Sequence, residues 1–247
     1  FDINDYPKFK DKIIYLKIDK EPIDLYGDME ASKDPIYKRL NSIKRIEQSY
    51  DFMMKGIINA SDEDLIIISD NDEIPNLNSN KFKKSNKKFY IFKQLLFYYK
   101  FNLLHETMPW FGSKACKKKY LKSFSNLRNL KNKKYPFWRI DTYFSNLKET
   151  SLEIIGDGGW HFTNIKTPED LYIKMKNFGH HDEFDESKLT IEDLRKKIDD
   201  GHVFYNHFID KKSEDKWKGD YKLKRIENHL LPDYLIKNQN NFKEWFK

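Results

Sequence analysis

The sequence predicts an α/β protein with a mostly parallel central sheet flanked by helices. The run Leu65–Ile68 is the first observation, because four consecutive large apolar residues are typical of a strand buried on both faces of a parallel sheet. The second is the order of elements before it. A predicted strand over 10–19 and a predicted helix over 36–60 complete a strand-helix-strand unit with parallel strands. The 247 residues fit one large domain, 1–247.

The other elements follow from local patterns. The helix over 36–60 rests on apolar residues spaced by three, four or seven, namely Ile36, Leu40, Ile43, Tyr50, Met53 and Ile57. The aromatic stretch 89–104 predicts two strands or one long bent strand, and 153–155 predicts a short strand. Thr167 is the predicted N-cap of a helix that ends at Gly179, and a second helix over 190–200 ends at Gly201. A short helix is expected within 231–246.

Three carboxylates end the central strand. Asp70, Asp72 and Glu73 would emerge at its carboxyl end, where open α/β sheets bind ligands. Their mutual repulsion is relieved by a divalent cation, and such oxygen ligands suit Mg²⁺ or Mn²⁺, which keep positions free for substrate phosphates. The pair Asp70 and Asp72 is therefore interpreted as a metal and diphosphate clamp. A solvated turn is the alternative that spacing alone leaves open.

Composition narrows the class of partner. The net charge of +7 is carried almost entirely by lysine, whereas base and phosphate recognition favours arginine forks, so no nucleic-acid partner is expected. The basic stretch 114–134 is interpreted as a solvated face, with a polyanion site as the alternative. No apolar run is long enough to span a membrane. The single cysteine, Cys116, excludes an internal disulfide and is compatible with a reducing compartment.

Further candidate residues lie beside aromatic rings and glycines. Trp110 and Trp160 could form platforms for an acceptor sugar, although core packing is the better explanation for any single ring in this region. Arg139 could bind a diphosphate with two hydrogen bonds, or pair with Asp141. The glycine-rich segment 156–159 would let another backbone or a ligand approach closely, and it places His161 directly after it.

A second group of titratable residues lies at 180–183, on a predicted loop. Glu183 at its end is the first candidate for a general base. Asp157, Asp141 and Glu73 are the alternatives for that role. Surface exposure without a function is the other interpretation of the group.

Two separated motifs resemble glycosyltransferase family 17. They are Ile-Ile-Ile-Ser-Asp-Asn-Asp-Glu-Ile-Pro at 66–75 and Gly-Gly-Trp-His-Phe at 158–162, followed by Thr-Pro-Glu-Asp-Leu at 167–171. That family includes the β-1,4-mannosyl-glycoprotein 4-β-N-acetylglucosaminyltransferases, which add the bisecting N-acetylglucosamine to N-glycans. The resemblance covers most of the chain.

The resemblance implies a GT-A-type, Rossmann-like nucleotide-sugar fold, a nucleoside-diphosphate sugar donor, Mn²⁺ or Mg²⁺, and inversion at the anomeric carbon. UDP is the expected nucleotide and N-acetylglucosamine the expected sugar. Asp70 and Asp72 match the family's Asp-x-Asp motif, and His161 is suggested by similarity as a further metal ligand. Other members begin with an additional strand and helix before the segment that matches 1–19, and animal members carry a membrane anchor. We expect this chain to lack both. We therefore expect a bacterial or viral enzyme of the cytoplasm rather than a Golgi enzyme.

Together these observations give a mechanistic hypothesis. A metal on Asp72, with Asp70 bound directly or through water, holds the donor diphosphate, Arg139 assists, and a carboxylate deprotonates the acceptor hydroxyl of a glycan. One rival is a metal-dependent nuclease or phosphotransferase, which would cleave phosphodiesters. The other is a non-catalytic module that binds glycans or polyanions.

Overall fold

A computed structural model of the chain describes residues 1–27, 29, 34–177, 181–206, 214–217 and 219–247. The strands are β1 (Leu65–Ile68), β2 (Glu73–Pro75), β3 (Phe89–Tyr98), β4 (Leu103–Leu104), β5 (Trp110–Lys117), β6 (Leu152–Ile155), β7 (Gly159–Thr163) and β8 (Lys224–Arg225). The α-helices are α1 (Pro35–Phe52), α2 (Asn80–Lys84), α3 (Phe124–Asn129), α4 (Pro168–Lys176), α5 (His181–Ser187), α6 (Ile191–Asp200) and α7 (Asp233–Lys237). None of these described helices has the length and apolarity needed to cross a membrane.

The main sheet is antiparallel, in the order β1-β5-β3-β4-β8. β3 lies at its centre and pairs antiparallel with β5 and β4, while its other edge pairs parallel with β6 and then β7. β2 adds to β7 in antiparallel orientation. The protein therefore belongs to the mixed α/β class, and the predicted parallel, Rossmann-like (GT-A-type) sheet is wrong.

The error has a physical cause at β1. Ile66 and Ile68 are buried, but Leu65 is 40% exposed, so β1 buries alternate residues at the edge of an antiparallel sheet. A run of four apolar residues does not distinguish such an edge strand from a central parallel strand. The predicted strand over 10–19 is also absent from the described structure, because 7–12 form a 3-10 turn and Ile14 and Tyr15 are exposed. Among the described residues, β1 therefore pairs only with β5, in antiparallel orientation.

The helix predicted over 36–60 is confirmed over 36–52, although Ile36 and Ile43 of its predicted apolar face are exposed. α1 begins after Asp34, whose carboxylate accepts a hydrogen bond from the Ile36 amide at 2.9 Å. The helix ends at Phe52 and a 3-10 turn continues to Ile57, so that Met53 and Ile57 pack against the core beneath β1.

The later helices also follow their predicted caps. Thr167 caps α4, and Thr190 with Asp193 forms a capping box at α6, which ends at Gly201 with a φ of 69°. α4 ends at Lys176, and the predicted end at Gly179 lies outside the described residues. The tail forms α7, and its Phe242 contacts Phe101 in the core.

The loop predicted at 180–183 is the exception, because 181–183 belong to α5; residue 180 lies outside the described residues. Phe184 of α5 is buried against Leu171 of α4 and Leu194 of α6. The helix therefore depends on packing between distant segments, which a local pattern does not reveal.

The glycine-rich turn before β7 allows the close approach that the sequence predicts. Gly159 has a φ of 107°, and a Cβ there would lie 2.1 Å from the carbonyl oxygen of Ile74 on β2. Only glycine fits this conformation and this distance. The turn thus controls how closely β2 and β7 pair.

We expect Gly159→Ala to lower the free energy of unfolding strongly. Backbone strain alone costs about 1–3 kcal/mol, and the clash with Ile74 adds to it. Urea unfolding followed by circular dichroism measures the effect. Gly156→Ala is the matched control in the same turn, since a Cβ there meets nothing within 4 Å. Equal stability of the two variants would contradict the assignment.

Candidate active site

The two separated motifs of the sequence, at 66–75 and 158–162, meet as the neighbouring strands β2 and β7. In the ladder between β2 and β7, Glu73 lies opposite His161. The amide of Phe162 also donates a hydrogen bond to the carbonyl oxygen of Asp72 at 2.8 Å. Main-chain pairing therefore fixes the acidic turn against the histidine, although the two are far apart in sequence.

Asp72 and His161 face each other at the centre of this junction. His161 Nδ1 lies 3.6 Å from Asp72 Oδ1. The imidazole is buried, and within the described part of the chain its Nδ1 has no hydrogen-bond partner. Trp110 covers one face of the ring, with centroids 4.5 Å apart and planes inclined by 18°. Burial lowers the pKa of His161, and the nearby Asp72 charge opposes that effect.

Glu73 holds the junction together. Its side chain is 0% exposed, and it accepts hydrogen bonds from Trp110 Nε1 at 2.7 Å and from the Asp70 amide at 3.1 Å. Arg128 Nη1 lies 3.4 Å from the same carboxylate. A Cβ at Gly112 would lie 2.3 Å from Glu73 Oε1, so glycine is needed there to admit the carboxylate. The predicted role of Glu73 as a free base is not supported, since these donors occupy it.

Arg128 is the arginine of the site, and the sequence-based prediction missed it. It forms an ion pair with Asp70 and donates a hydrogen bond to the Gly112 carbonyl at 3.1 Å. Burial raises the pKa of Asp70, while the Arg128 charge opposes that rise. The signal available in the sequence was that Arg128 is one of few arginines in a lysine-rich chain. The pairing fixes Asp70 at the edge of the junction.

A cavity of about 280 Å³ opens beside this junction. Its polar lining includes Asp70, Asp72, His161 and Lys174, together with Thr163 and Asn164. Aromatic rings line much of the remainder, and they are Tyr98, Trp110, Phe204, Tyr205 and Trp217. Apart from Trp110, these rings were not predicted, because they come from β3 and from the segments after α6. A small polar cluster within aromatic walls is the usual form of a small-molecule site.

A second, larger cavity of about 790 Å³ shares Asp72, Asn164 and Lys174 with the first. Its apolar wall comes from Phe162 on β7 and from Tyr234 and Leu235 in the tail, among others. Asp72 thus lines both concave spaces.

Glu183, the first candidate for a general base, lies elsewhere. Glu183 and Lys216 form a buried ion pair at 2.9 Å, with both side chains 3% exposed. Glu183 lines neither of the two cavities. The two charges neutralise each other inside the cluster of α4, α5 and α6, so a role of Glu183 as general base is not supported. Removing one partner of such a pair leaves a buried charge uncompensated.

Arg139 and Asp141 also lie outside the junction. Arg139 Nε donates a hydrogen bond to Asp141 Oδ1 at 2.6 Å, and Lys148 binds the other carboxylate oxygen at 2.6 Å. This is the structural pairing that the sequence left open. Neither residue lines the two cavities, so binding of a diphosphate by Arg139 is not supported.

Asp157 and Trp160 have structural contacts as well. Asp157 accepts a hydrogen bond from Ser79 Oγ at 2.6 Å, at the far end of the β2 and β7 pair. Trp160 Nε1 donates to the Leu230 carbonyl at 2.7 Å, because alternation along β7 directs it away from the His161 face. Of the two predicted sugar platforms, only Trp110 lines the cavity.

The predicted metal site of Asp70, Asp72 and His161 is not a three-ligand cluster. Within the described residues, no group of three His, Cys, Asp or Glu side chains is arranged to hold an ion. Asp70 is instead paired with Arg128. The unpartnered Nδ1 of His161 and the adjacent Asp72 carboxylate form a two-donor set. Mn²⁺ and Mg²⁺ accept so few protein ligands when phosphates and water complete the sphere.

A buried lysine lies behind the junction and is expected to give a measurable pH dependence. Burial, with a contribution from the Arg128 charge, lowers the pKa of Lys114 to about 8. The folded protein therefore releases this proton before the unfolded chain does. As pH rises from 8 to 10.5, wild type should gain stability relative to Lys114→Met, which cannot titrate. Urea unfolding of both proteins across that range measures the difference, and a constant difference would contradict the shift.

Comparisons of the chain with protein families, with curated proteins and with solved structures give no match. The function is therefore argued from the geometry of the junction and its cavities.

Proposed function

We propose that the protein is a glycosyltransferase that moves a sugar from a nucleoside-diphosphate donor to a hydroxyl of a glycan acceptor, with inversion and with Mn²⁺ or Mg²⁺. The observation that carries the proposal is the approach of Asp72 and His161 to 3.6 Å on the wall of an aromatic cavity. The two motifs that resemble glycosyltransferase family 17 are the two strands that meet there. The antiparallel sheet adds no support, so the proposal depends on the site.

The cavity suits a sugar ring. Trp110 lines the cavity beside two carboxylates, and apolar sugar faces pack on aromatic rings while hydroxyls need polar partners. Glu73 fixes the indole through its Nε1 hydrogen bond at 2.7 Å. The ring is thereby held in place before a ligand binds. UDP-N-acetylglucosamine is the donor that we propose.

Asp72 and His161 are the residues that would hold the metal. A bound divalent cation would neutralise charge that develops on the departing diphosphate. The chain's own groups do the remaining work. Trp110 orients the imidazole by stacking, and Arg128 orients the Asp70 carboxylate. Asp70 is the other carboxylate on the wall of this cavity, and we propose that it accepts the proton of the acceptor hydroxyl.

The test begins with ligand binding. Thermal unfolding is measured with a panel of nucleotide sugars, each with and without Mn²⁺. A ligand at about a hundred times its dissociation constant stabilises the fold by roughly 2.7 kcal/mol. We expect one nucleotide sugar to raise the midpoint, and we expect the rise to depend on Mn²⁺.

Turnover then separates the proposal from its rivals. Slow release of free sugar from the stabilising donor, dependent on Mn²⁺, is the expected result. Cleavage of a phosphodiester substrate instead would identify a nuclease or phosphotransferase. If no nucleotide sugar shifts the midpoint and none is hydrolysed, the proposed function is wrong.

A further inference from the structure

Lys174 lies in the wall that separates the two cavities. It belongs to the last turn of α4 and lines both spaces, as Asp72 does. Its Nζ donates a hydrogen bond to Asn164 Oδ1 at 2.8 Å. Within the described part of the chain, no carboxylate forms an ion pair with it. Lys174 is thus a half-buried cation whose polar partner is a neutral amide.

The neighbouring residues keep this cation in place. Asn164 follows β7 directly, is buried, and has a φ of 55°, a left-handed conformation that asparagine tolerates better than most residues. The Tyr98 hydroxyl also forms a hydrogen bond with the Asn164 side chain. Asn164 is therefore fixed between Tyr98 and Lys174. An ammonium group held by a rigid neutral acceptor keeps donors free for an anion.

Burial makes this charge costly without a counter-ion. It lowers the pKa of Lys174, and the Asp72 charge only opposes that effect from outside ion-pair distance. A cation in a cavity wall with no carboxylate to pair with gains from an anionic ligand, because charge-assisted hydrogen bonds are stronger than neutral ones.

We propose that Lys174 binds the phosphate oxygens of the nucleoside diphosphate, at the boundary between the two cavities. The identity of the anion rests on the proposed function, whereas the presence of an anion subsite rests on Lys174 and its neighbours alone. Binding of the diphosphate here would place the donor sugar and the acceptor on opposite sides of one anchoring group.

The carboxylates nearby do not prevent this. Arg128 compensates Asp70 through their ion pair. Asp72 faces His161, the proposed metal position, so its charge would be shared with the cation there. Lys166 and Asp170 add one charge of each sign to the wall of the larger cavity. The cation that favours an anion at the boundary is therefore Lys174 itself.

Calorimetric titration with inorganic pyrophosphate tests the subsite without a sugar or turnover. Wild type is titrated in a buffer with Mn²⁺ and in a buffer with a chelator. The dissociation constants of the variants are then measured in each buffer in which wild type binds pyrophosphate. We expect Lys174→Gln to raise the dissociation constant about ten- to hundredfold, the loss typical of one charge-assisted hydrogen bond. Lys176→Gln is the control on the same helix, because Lys176 is exposed and paired with Asp185. It should bind pyrophosphate as wild type does.

A measurement on wild type covers the case in which Lys174→Gln fails to fold. Pyrophosphate should protect Lys174, but not Lys176, from an amine-acylating reagent read by mass spectrometry. Any one of three results would overturn the inference. They are an unchanged dissociation constant for pyrophosphate in Lys174→Gln, no binding of pyrophosphate by wild type, and acylation of Lys174 to the same extent with and without pyrophosphate. Donor turnover together with any of these would leave the proposed function standing. Protected Lys174 without donor turnover would leave only the anion subsite.

Discussion

Asp72→Asn is expected to lower sugar transfer by about 10²–10³-fold, the typical cost of removing one electrostatic contact to the charge that forms in a transition state. Asparagine keeps the shape of the side chain but loses the negative charge that would bind the metal. The Mn²⁺ dependence of donor binding should weaken in parallel. Initial rates over a range of Mn²⁺ concentrations measure both effects.

The fold should tolerate this change. The Asp72 side chain is 31% exposed and approaches His161 only to 3.6 Å, so little packing is lost. Thermal unfolding without ligand should therefore match that of wild type. Asp199→Asn is the control, because it removes an exposed carboxylate on α6, away from the cavities. Full transfer with full metal dependence in Asp72→Asn would show that Asp72 does not hold the metal.

Glu73→Ala is expected to cause the largest loss of stability, about 3–5 kcal/mol, as is typical when one partner of a buried ion pair is removed. The substitution leaves the Trp110 Nε1 proton without its acceptor. It also removes one of the acceptors of the Arg128 guanidinium, which keeps Asp70 and the Gly112 carbonyl. It also opens a void beside Gly112, where the carboxylate now fits. Urea unfolding gives the free energy directly.

Two comparisons make this result specific. Glu73→Gln keeps the volume and one acceptor oxygen, so it should lose less stability than Glu73→Ala. Glu63→Ala removes an exposed carboxylate that pairs with Lys117 at 2.7 Å, and such surface pairs contribute little. A Glu73→Ala variant as stable as Glu63→Ala would contradict the central role of Glu73 in the junction.

Local features of the fold could be predicted from the sequence, and the arrangement of the sheet could not. The caps at Thr167 and Thr190 act within one helical turn, so a few neighbouring residues determine them. The pairing of β1 with β5 depends on contacts with a distant strand. An apolar run such as Leu65–Ile68 satisfies several pairings equally well, and packing of the whole chain decides among them.

The site divides in the same way. The proximity of Asp72 and His161 was inferred from two separated motifs, and the structure places them side by side. Arg128 and Lys174 are not predicted as site residues, because each belongs to a helix whose sequence carries no functional motif. Glu183 is predicted as a base because it belongs to a run of titratable residues, but its partner Lys216 comes from a distant turn. Clusters along a chain are a weak guide to clusters in space.

The ladder between β2 and β7 also affects when the proposed site forms during folding. Because it joins segments that are distant along the chain, it closes a long loop, and such contacts form slowly. A nascent chain that has not yet reached Thr163 lacks the strand that carries His161 in full. We therefore expect binding of a nucleotide sugar to recover late during refolding, after the helical circular dichroism signal has returned. The time at which binding recovers would then report when this ladder forms.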